Sequence, residues 1–476
     1  MNIIKNSVIF QFLITIITKI EDMIKNSGLY ALFTKDVTTN IRQESFLAKI
    51  LYKIISFIRK IFNALKLNIV FKDSIFAKTE IWIGITIALA PILSTMQALL
   101  LVLFSILSFI IKVCLEPDFK FTYTPLNGVV IVFILMYVLA SIVSLDMSSS
   151  IKIAMLVSAF TVFYFVIVNS IKNEKQIKVM LNIFVITGAL VSVYGIYQYL
   201  FAGSFASSSF VDKEMFQDIK TRVNGTFDNP NVLGEYLLFV IPMIASLFMS
   251  AKGWTKKIFY ASLGGVTAIC LALTYSRGCY LGLLLALAVF VLLISLKWII
   301  AFLLGIMVAP AFLPQSIINR FSSIGNMADS STSYRVSIWK GAIDMIKDYW
   351  YRPIGQGTTA FNSIYPLYSY SGVGAQHTHN LFLQLLIETG ILGMISFLGV
   401  IYKFFQNVLC GLKNTKNKFY KYCFIGFASG MVGFLLQSIF DNTWYNNKII
   451  LIFWIFIALS ATVRNISNVE ASDEKN

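Results

Sequence analysis

Twelve long apolar runs follow one another along the chain, and this repetition constrains the fold more than any other feature. Windows of about 17 to 25 apolar residues are long enough to cross the hydrocarbon layer of a bilayer as helices. The runs lie near 81–96, 98–114, 126–145, 151–170, 178–201, 231–250, 258–274, 279–296, 298–314, 380–402, 421–440 and 447–464. Pro91 leaves room for one long kinked segment in place of the first pair, and only Lys297 divides the 279–314 pair. The sequence therefore predicts an all-α polytopic membrane protein with about twelve spans.

The composition agrees with this fold class and argues against other partners. Hydrophobic residues make up 57% of the 476 residues and charged residues 13%, which is more apolar surface than a soluble core can hide. The formal net charge of +16 would suit nucleic acid, but the basic residues lie mostly between apolar runs, as topology determinants do. The five cysteines lack CxxC spacing and a clustered framework. We expect a multi-pass protein of the cytoplasmic membrane that binds membrane lipids and no nucleic acid.

The positions of lysine and arginine predict the orientation, because positively charged loops tend to stay in the cytoplasm. With the N-terminus inside, the stretches "IKNEKQIK", "AKGWTKK" and "KNTKNKFYK" all fall on the cytoplasmic side. The opposite face then carries two long loops, 202–230 and 315–379, and the second of them precedes the tenth span. Twelve spans return the C-terminus to the cytoplasm. The transmembrane domain would cover 81–464, followed by a disordered tail at 465–476.

Residues 1–80 form a distinct basic region, with 12 lysines and arginines against 6 acidic residues. From position 46 to 65 the apolar residues follow i, i+3, i+4 spacing and the basic residues take other positions, which predicts a helix lying on an anionic inner leaflet. The apolar segment 8–20 is short for a crossing, so we interpret it as a second interfacial helix. A signal-like stretch and a thirteenth span are the alternatives.

Five of the eight arginines fall on the external side in this topology, whereas the cytoplasmic loops use lysine almost exclusively. The five are Arg222, Arg277, Arg320, Arg335 and Arg352. Arginine presents a planar fork that grips phosphate or carboxylate oxygens through two bonds, so a cluster at membrane level predicts a bound anion. The alternative is that each arginine pairs with lipid headgroups or with a loop acid. The candidate acids are Asp212, Asp218, Asp329 and Asp344.

Three of the arginines stand in informative contexts. Arg277, in "TYSRGCYLGL", occupies a tight turn between two spans with few acids nearby, and is expected to be an unpaired cation at the outer rim. Arg222 precedes "NGTFDNPNVLGEY", in which Asn229 can cap the following helix and Pro230 fits its first turn. Arg335 opens "SYRVSIWKGAIDMIKDYW", whose apolar stripe predicts an amphipathic helix that rests on the outer membrane face or roofs a cavity.

The only two histidines of the chain, His377 and His379, lie two positions apart in "AQHTHNLFLQLLIETG". Two helical positions at this spacing face away from each other, and no third ligand stands at a recognised spacing, so we expect no metal site. His379, beside Asn380 at the outer start of a span, is a candidate general base, with a structural role as the alternative. Glu388 lies nine residues deeper and is expected to bond to a neighbouring span.

Four segments together resemble motifs of a known family. They are "RVNGTFDNPNVLGEYL", "TYSRGCYLGL", "YRVSIWKGAIDMI" with "PIGQGTTAF", and "HTHNLFLQLLIETGILG". Their order and content are similar to those of the O-antigen ligase-like family of polytopic glycosyltransferases, which includes repeat-unit polymerases. The resemblance covers roughly residues 125–460. It implies a GT-C type helical enzyme that acts without metal or cofactor on the outer face of the cytoplasmic membrane. Its donor would be a glycan on undecaprenyl diphosphate, and its acceptor a glycan or a lipid.

The same resemblance assigns roles to individual residues. Arg222, Arg277 and Arg335 would hold the diphosphate and the leaving group, because fixed cations stabilise the charge that develops on the phosphate. His379, together with Arg335, would be catalytic, the histidine by activating the acceptor hydroxyl. Supporting positions are expected at Asn229, Asn380 and Glu388.

Two other functions are compatible with a polytopic chain of this kind. One is a membrane transporter of a lipid-linked oligosaccharide or a small anion. Transporters usually carry ionisable residues or broken helices near the bilayer midplane, whereas the candidate residues here gather outside. The other is a non-catalytic partner in a cell-envelope complex, whose arginines would be lipid contacts. Within glycan transfer, a polymerase and a ligase both remain open at this stage.

Overall fold

The computed structural model describes residues 8–35, 46–201, 219, 221–327 and 329–473, which fold as helices joined by turns, with no β-strand among them. In chain order the helices are α1 (Val8–Lys25), α2 (Gly28–Thr34), α3 (Phe46–Ala64), α4 (Leu67–Phe71), α5 (Thr79–Leu89), α6 (Thr95–Leu115), α7 (Asn127–Ile142), α8 (Met147–Ser170), α9 (Glu174–Phe201), α10 (Pro230–Ser250), α11 (Trp254–Leu273), α12 (Arg277–Ile294), α13 (Ile299–Val308), α14 (Gln315–Ser322), α15 (Ser330–Tyr349), α16 (Thr358–Ile364), α17 (Leu381–Asn414), α18 (Lys418–Phe440) and α19 (Asn447–Asp473). The chain is a multi-pass membrane protein.

Each of the twelve predicted spans corresponds to its own helix. Within the described ranges, nine helices are long and apolar enough to cross a membrane, namely α6, α8 to α12 and α17 to α19. Three shorter apolar segments correspond to the remaining predictions, at Thr79–Leu89, Asn127–Ile142 and Leu296–Phe312. The all-α polytopic architecture is confirmed, and the number of crossings stays a prediction. Helix α1, the alternative thirteenth span, is not one of the nine.

Successive connections alternate between two ends of the helical bundle, and the two ends differ in their basic residues. We call one the arginine end, formed by 90–94, 143–146, 221–229, 274–276, 313–380 and 441–446. The other is the lysine end, formed by 116–126, 171–173, 251–253 and 415–417. Hydrogen bonds join connections within each end. Thr226 Oγ1 donates to the Pro91 carbonyl at 2.6 Å, and Asn417 Nδ2 donates to Glu174 Oε2 at 3.1 Å.

Close helix packing at the centre of the bundle brings α12 against α18. A Cβ atom on Gly282 would lie only 2.8 Å from the Gly433 carbonyl oxygen, so glycine is needed for this approach. Arg277 is the first residue of α12, and Asp441 follows the last residue of α18. The packing therefore carries these two ionisable residues to the same end of the bundle.

Helix α17 is interrupted at Gly390, whose φ of 67° lies in the left-handed region that favours glycine. Two backbone hydrogen bonds at the break are made with the connection between α15 and α16. The Ile391 N–H donates to the Trp350 carbonyl at 2.8 Å, and the Ile354 N–H donates to the Ile387 carbonyl at 3.2 Å. The connection 350–357 thus lies against the break and joins α15 to α17 on both sides of Gly390.

The C-terminal helix is longer than the sequence analysis expects. Helix α19 continues to Asp473, so 465–473 are helical and the prediction of a disordered tail is wrong for them. Tyr420 Oη donates to Glu470 Oε1 at 2.7 Å, which holds this extension against α18. Residues 474–476 lie outside the described residues, as do 202–218 and 220 of the predicted loop 202–230.

The predicted amphipathic helix in the basic N-terminal region is present as α3. Arg59 joins it to the end of α6 by donating to the carbonyls of Val113 and Glu116 at 2.8 and 2.9 Å. These acceptors are C-terminal helix carbonyls, which need partners from outside the helix. The apolar side chains Ile54 and Phe57 are exposed, which suits contact with lipid. Placement of this region on the membrane surface stays a prediction.

The orientation can be tested by cysteine labelling, because all five native cysteines are buried. Lys256 is exposed at the lysine end, and Leu367 is exposed at the arginine end. We expect a membrane-impermeant maleimide to modify Leu367→Cys in intact spheroplasts and to modify Lys256→Cys only after permeabilisation, since lysine-rich loops stay inside. The reverse pattern would contradict the orientation.

Candidate active site

Four arginines line one small cavity of about 30 Å³ at the arginine end. They are Arg222 in the 221–229 connection, Arg277 on α12, Arg320 on α14 and Arg335 on α15. Three of them are the predicted diphosphate ligands, and the structure brings these three together. Arg320 is the fourth arginine of the lining. The sequence predicts it on the external side but gives it no role. Arg352, by contrast, is exposed and is not part of this lining.

The turn between α11 and α12 positions two of these arginines. Tyr275 has a φ of 49°, in the left-handed region that non-glycine residues seldom adopt. The Thr274 carbonyl accepts a hydrogen bond from Arg222 Nε at 2.7 Å, and the Tyr275 carbonyl accepts one from Arg320 Nε at 3.1 Å. Residues held in this region of backbone conformation often lie at active sites and binding sites. Here this conformation presents two successive carbonyl oxygens to two guanidinium groups.

Arg277 is paired, so the prediction of an unpaired cation is wrong. Its Nη2 donates to Asp329 Oδ1 at 2.7 Å, and Arg320 Nη1 lies 3.6 Å from Asp329 Oδ2. Asp329 is one of the candidate acids that the sequence offers, but its assignment to Arg277 depends on α14, which brings it back across 52 positions of the chain. The alternative of a loop acid therefore holds for Arg277. Asp344, another candidate acid, pairs with Lys347 instead.

Asp441, directly after α18, connects the arginines to the histidines. Its Oδ1 lies 2.9 Å from His379 Nδ1. Its Oδ2 accepts from Asn231 Nδ2 at 2.6 Å and lies 3.6 Å from Arg335 Nη2. Asn231 Oδ1 in turn accepts from Arg222 Nη2 at 2.8 Å. Burial alone would raise the pKa of Asp441, but the adjacent His379 and Arg335 hold this pKa well below its usual range.

Among the described residues, the four arginines that line the cavity outnumber the two aspartates just described. Burial, together with the nearby Arg320 and Arg335, lowers the pKa of Arg222 to about 9. Burial and the neighbouring Arg277 lower the pKa of Arg320 to about 10. Both groups remain charged at neutral pH. Cations that depress one another's pKa generate a positive potential, which an anion would relieve.

The two imidazole rings face one another, contrary to the prediction from helical spacing. Helix α17 begins only at Leu381, and His379 has a φ of 48°, so residues 377–379 are not helical. The ring centroids are 4.1 Å apart, and the backbone N–H of His379 donates to His377 Nδ1 at 3.2 Å. Burial and the proximity of His379 lower the pKa of His377 to about 4. His377 is therefore neutral at pH 7 and carries its proton on Nε2.

His379 and Asp441 form a carboxylate–imidazole pair. With Nδ1–H of His379 bonded to the carboxylate, the lone pair of the ring is on Nε2, which is the arrangement of a general base oriented by an acid. The Trp339 Nε1–H also donates to the His379 carbonyl at 3.3 Å and joins this backbone to α15. Asp441 is not among the residues predicted for the site, because "FDNTWYNN" reads as a short turn. The one sequence feature that could have indicated Asp441 is the position of an acid directly at the end of a span.

Ligand atoms of His377, His379 and Asp441 lie within 4.8 Å of one another, a spacing that a metal ion could bridge. These histidines are not on a helix, so their spacing in the sequence does not exclude a shared metal. The contacts nevertheless favour proton transfer. Both Nδ1 atoms already take part in hydrogen bonds, and the guanidinium of Arg335 lies 3.6 Å from the same carboxylate, where it would repel a cation.

The three predicted supporting residues have clear structural contacts. Asn229 and Asn380 are the N-caps of α10 and α17, and each accepts hydrogen bonds from N–H groups of the following first turn. Glu388 Oε1 accepts from the Gly357 N–H at 3.1 Å and from Gln384 Nε2 at 2.9 Å. The expectation that Glu388 bonds to a neighbouring span is thus wrong. Its partners are the connection before α16 and its own helix.

The depressed pKa of His377 predicts a stability change with pH. The unfolded chain binds this proton near pH 6.5 and the folded protein only near pH 4, so acidification across that range removes about 3 kcal/mol of folding free energy. His377→Asn keeps an acceptor for the His379 N–H and cannot titrate. We expect the apparent Tm of the wild type in detergent to fall further between pH 7 and pH 4.5 than that of the variant. Equal falls would contradict the prediction.

Comparison with known proteins shows which family the chain resembles. Residues 236–398 match the family model described as O-antigen ligase. A Rickettsia conorii protein whose name gives it as a candidate polysaccharide ligase is 24% identical over 251 residues, which are 48% of this chain and 57% of that protein. The chain thus spans little more than half of that relative's length. The family match contains three of the four cavity arginines and both histidines, whereas Arg222 and Asp441 lie outside it.

Proposed function

Because this chain belongs to the O-antigen ligase-like family, we propose that it transfers a glycan from undecaprenyl diphosphate to a hydroxyl group of an acceptor glycan or lipid. The observation that carries the proposal is one continuous network. It runs from Arg222 through Asn231 and Asp441 to His379, with Arg335 on the same carboxylate. A network of this kind combines an anion site and a general base, which are the two chemical functions that glycan transfer from a diphosphate requires.

The arginine cavity is the proposed site of the diphosphate. Its volume of about 30 Å³ holds little more than one water, so the diphosphate lies across the mouth and is contacted by the guanidinium groups. Arginine forks bind phosphate oxygens through paired hydrogen bonds, so four guanidinium groups in one place suit a diphosphate. The undecaprenyl chain remains in the bilayer beside the bundle. Negative charge that develops on the leaving diphosphate meets cations already in place.

His379 is the proposed base. The acceptor hydroxyl oxygen forms a bond to the anomeric carbon of the donor sugar, and its proton passes to His379 Nε2. The bond between that carbon and the diphosphate oxygen breaks, and undecaprenyl diphosphate leaves with the electron pair. Asp441 keeps Nε2 as the basic atom and stabilises the imidazolium that forms. Arg335 contacts the same carboxylate and lines the anion cavity, so it couples the two halves of the reaction.

The proposed enzyme acts without a metal and on the outer face of the cytoplasmic membrane. Its arginines supply the positive charge that a divalent cation provides at many phosphoryl sites. The excess of lysine at the opposite end supports an orientation with the lysine end in the cytoplasm. The active site then faces the compartment in which cell-surface polysaccharide is assembled.

Turnover of the purified protein with an undecaprenyl-diphosphate oligosaccharide tests the assignment. We expect His379→Ala and Asp441→Asn to lower kcat by about 10²- to 10⁴-fold, the range for loss of general-base catalysis. Arg277→Ala and Arg335→Ala should each lower kcat/KM by at least about 10²-fold, as loss of one transition-state cation does.

Arg352→Ala is the matched control for these arginine variants. It removes the same charge from the same end of the bundle at an exposed position outside the cavity lining. We expect it to retain wild-type turnover within about twofold, as surface substitutions usually do. Normal product from Arg277→Ala and Arg335→Ala, or an equal loss in Arg352→Ala, would refute the arginine assignment.

Removal of metal tests the chemistry of the His–Asp cluster. We expect turnover to be unchanged after dialysis against EDTA, because the hydrogen bonds among His377, His379 and Asp441 complete this cluster without an ion. Residual metal is checked by elemental analysis of the dialysed protein. Loss of activity that is restored by a stoichiometric divalent cation would show that these residues are metal ligands.

A further inference from the structure

A second cavity, of about 170 Å³, lies beside the histidines and shares no lining residue with the arginine cavity. It is bounded by α7, α8, α16, α17 and the segment from 442 to 450. Its lining contains no lysine or arginine, and Glu388 is its one acidic residue among the described residues. This neutral, partly polar space differs sharply from the cationic cavity, so the two suit different chemical groups.

The second cavity is connected directly to the proposed base. His377 belongs to its lining and packs on His379, with 4.1 Å between ring centroids. Asn442, another lining residue, donates its backbone N–H to Asp441 Oδ1 at 2.9 Å. The His379–Asp441 pair therefore contacts lining residues of both cavities, Arg335 of the arginine cavity and His377 and Asn442 of the second.

Polar atoms in this lining lack protein partners. Asn442 Oδ1 and Trp444 Nε1 are buried without a hydrogen-bond partner among the described residues. Glu388 accepts both of its hydrogen bonds at Oε1, which leaves Oε2 as a further acceptor. Buried donors and acceptors without partners are rare because they cost free energy. Two acceptors and one donor on residues of one neutral lining suit a ligand that both donates and accepts, as a sugar ring does through its hydroxyl groups.

Aromatic residues complete the match to a sugar. Tyr445 is 37% exposed, and its ring stacks on His377 with 4.8 Å between centroids. Trp444 also belongs to the lining. Aromatic faces pack against the apolar face of a pyranose, while polar groups at the edge fix its orientation. The absence of lysine and arginine from this lining disfavours the diphosphate and favours an uncharged ring.

We propose that this cavity binds the acceptor sugar, the ring whose hydroxyl gives its proton to His379, and this inference rests on the proposed function. The donor diphosphate then occupies the arginine cavity and the acceptor ring occupies the neutral one. Glu388 accepts a hydrogen bond from an acceptor hydroxyl through Oε2, and the Trp444 indole donates to another oxygen. The anomeric carbon of the donor lies between the two sites, next to the acceptor oxygen that attacks it.

Equilibrium binding to the full-length protein in nanodiscs separates the two sites, with two probes. One is a carrier-free oligosaccharide of the cell-surface polysaccharide, and the other is undecaprenyl diphosphate. We expect Trp444→Phe and Glu388→Gln each to raise the Kd of the oligosaccharide about tenfold, as loss of one hydrogen bond does, and to leave the Kd of undecaprenyl diphosphate within about twofold. Arg277→Ala should have the opposite pattern.

Trp454→Phe is the matched control. Trp454 is also fully buried with no hydrogen-bond partner for its Nε1 among the described residues, but it lies in α19 outside this cavity. The control should bind both probes as the wild type does. No saturable oligosaccharide binding by the wild type, or an equal loss in the control, would overturn the proposal.

Transfer is measured in parallel with binding, so that the two proposals can fail separately. A wild-type protein that binds both probes and makes no product would contradict the catalytic proposal alone. Product formation with unchanged oligosaccharide affinity in Trp444→Phe and Glu388→Gln would contradict the acceptor cavity alone. Weakened binding of undecaprenyl diphosphate in those two variants would also overturn it, because the cavity would then belong to the donor.

Discussion

The geometry of the candidate site depends on the contacts of one buried carboxylate, that of Asp441. An ionised carboxylate in a protein interior is costly unless charged and hydrogen-bonded partners surround it. Asp441 gathers such partners from three separate parts of the chain, namely Asn231 on α10, Arg335 on α15 and His379 before α17. Because each partner arrives on a different element, the requirement to satisfy one carboxylate draws the arginine cavity and the two histidines together.

The helices and the basic character of the arginine end could be predicted from the sequence, because both depend on local patterns. Apolar runs of sufficient length give the spans, and the replacement of lysine by arginine on one face indicates an anion. The ion pairs could not be predicted in the same way. Asp329 reaches Arg277 across 52 positions through the path of α14, and that path is a property of the packed bundle. Asp441 has the same difficulty, since a single acid in a turn carries no sign of the residues that will surround it.

The histidines show a different limit, which concerns the local backbone. Positions 377 and 379 would face away from each other on a helix, whereas the left-handed backbone at His379 rotates the two rings toward one another. Left-handed backbone at a non-glycine residue has a cost of its own, so it occurs where surrounding contacts fix it. Here the fixing contacts are the His379 hydrogen bonds to His377 and Asp441. The C-terminal end of α19 was also not predicted. A polar C-terminal stretch is typical of disorder, and the contact of Glu470 with Tyr420 cannot be read from the sequence.

The break at Gly390 also exchanges one hydrogen bond of α17 for two. In an unbroken helix the Ile391 N–H would donate to the Ile387 carbonyl, four residues earlier. Here the Trp350 carbonyl accepts from the Ile391 N–H instead, and the freed Ile387 carbonyl accepts from the Ile354 N–H. Both backbone groups that the interruption frees are therefore satisfied by the protein itself, and the irregular stretch after α15 is held in register with the helix that carries Glu388.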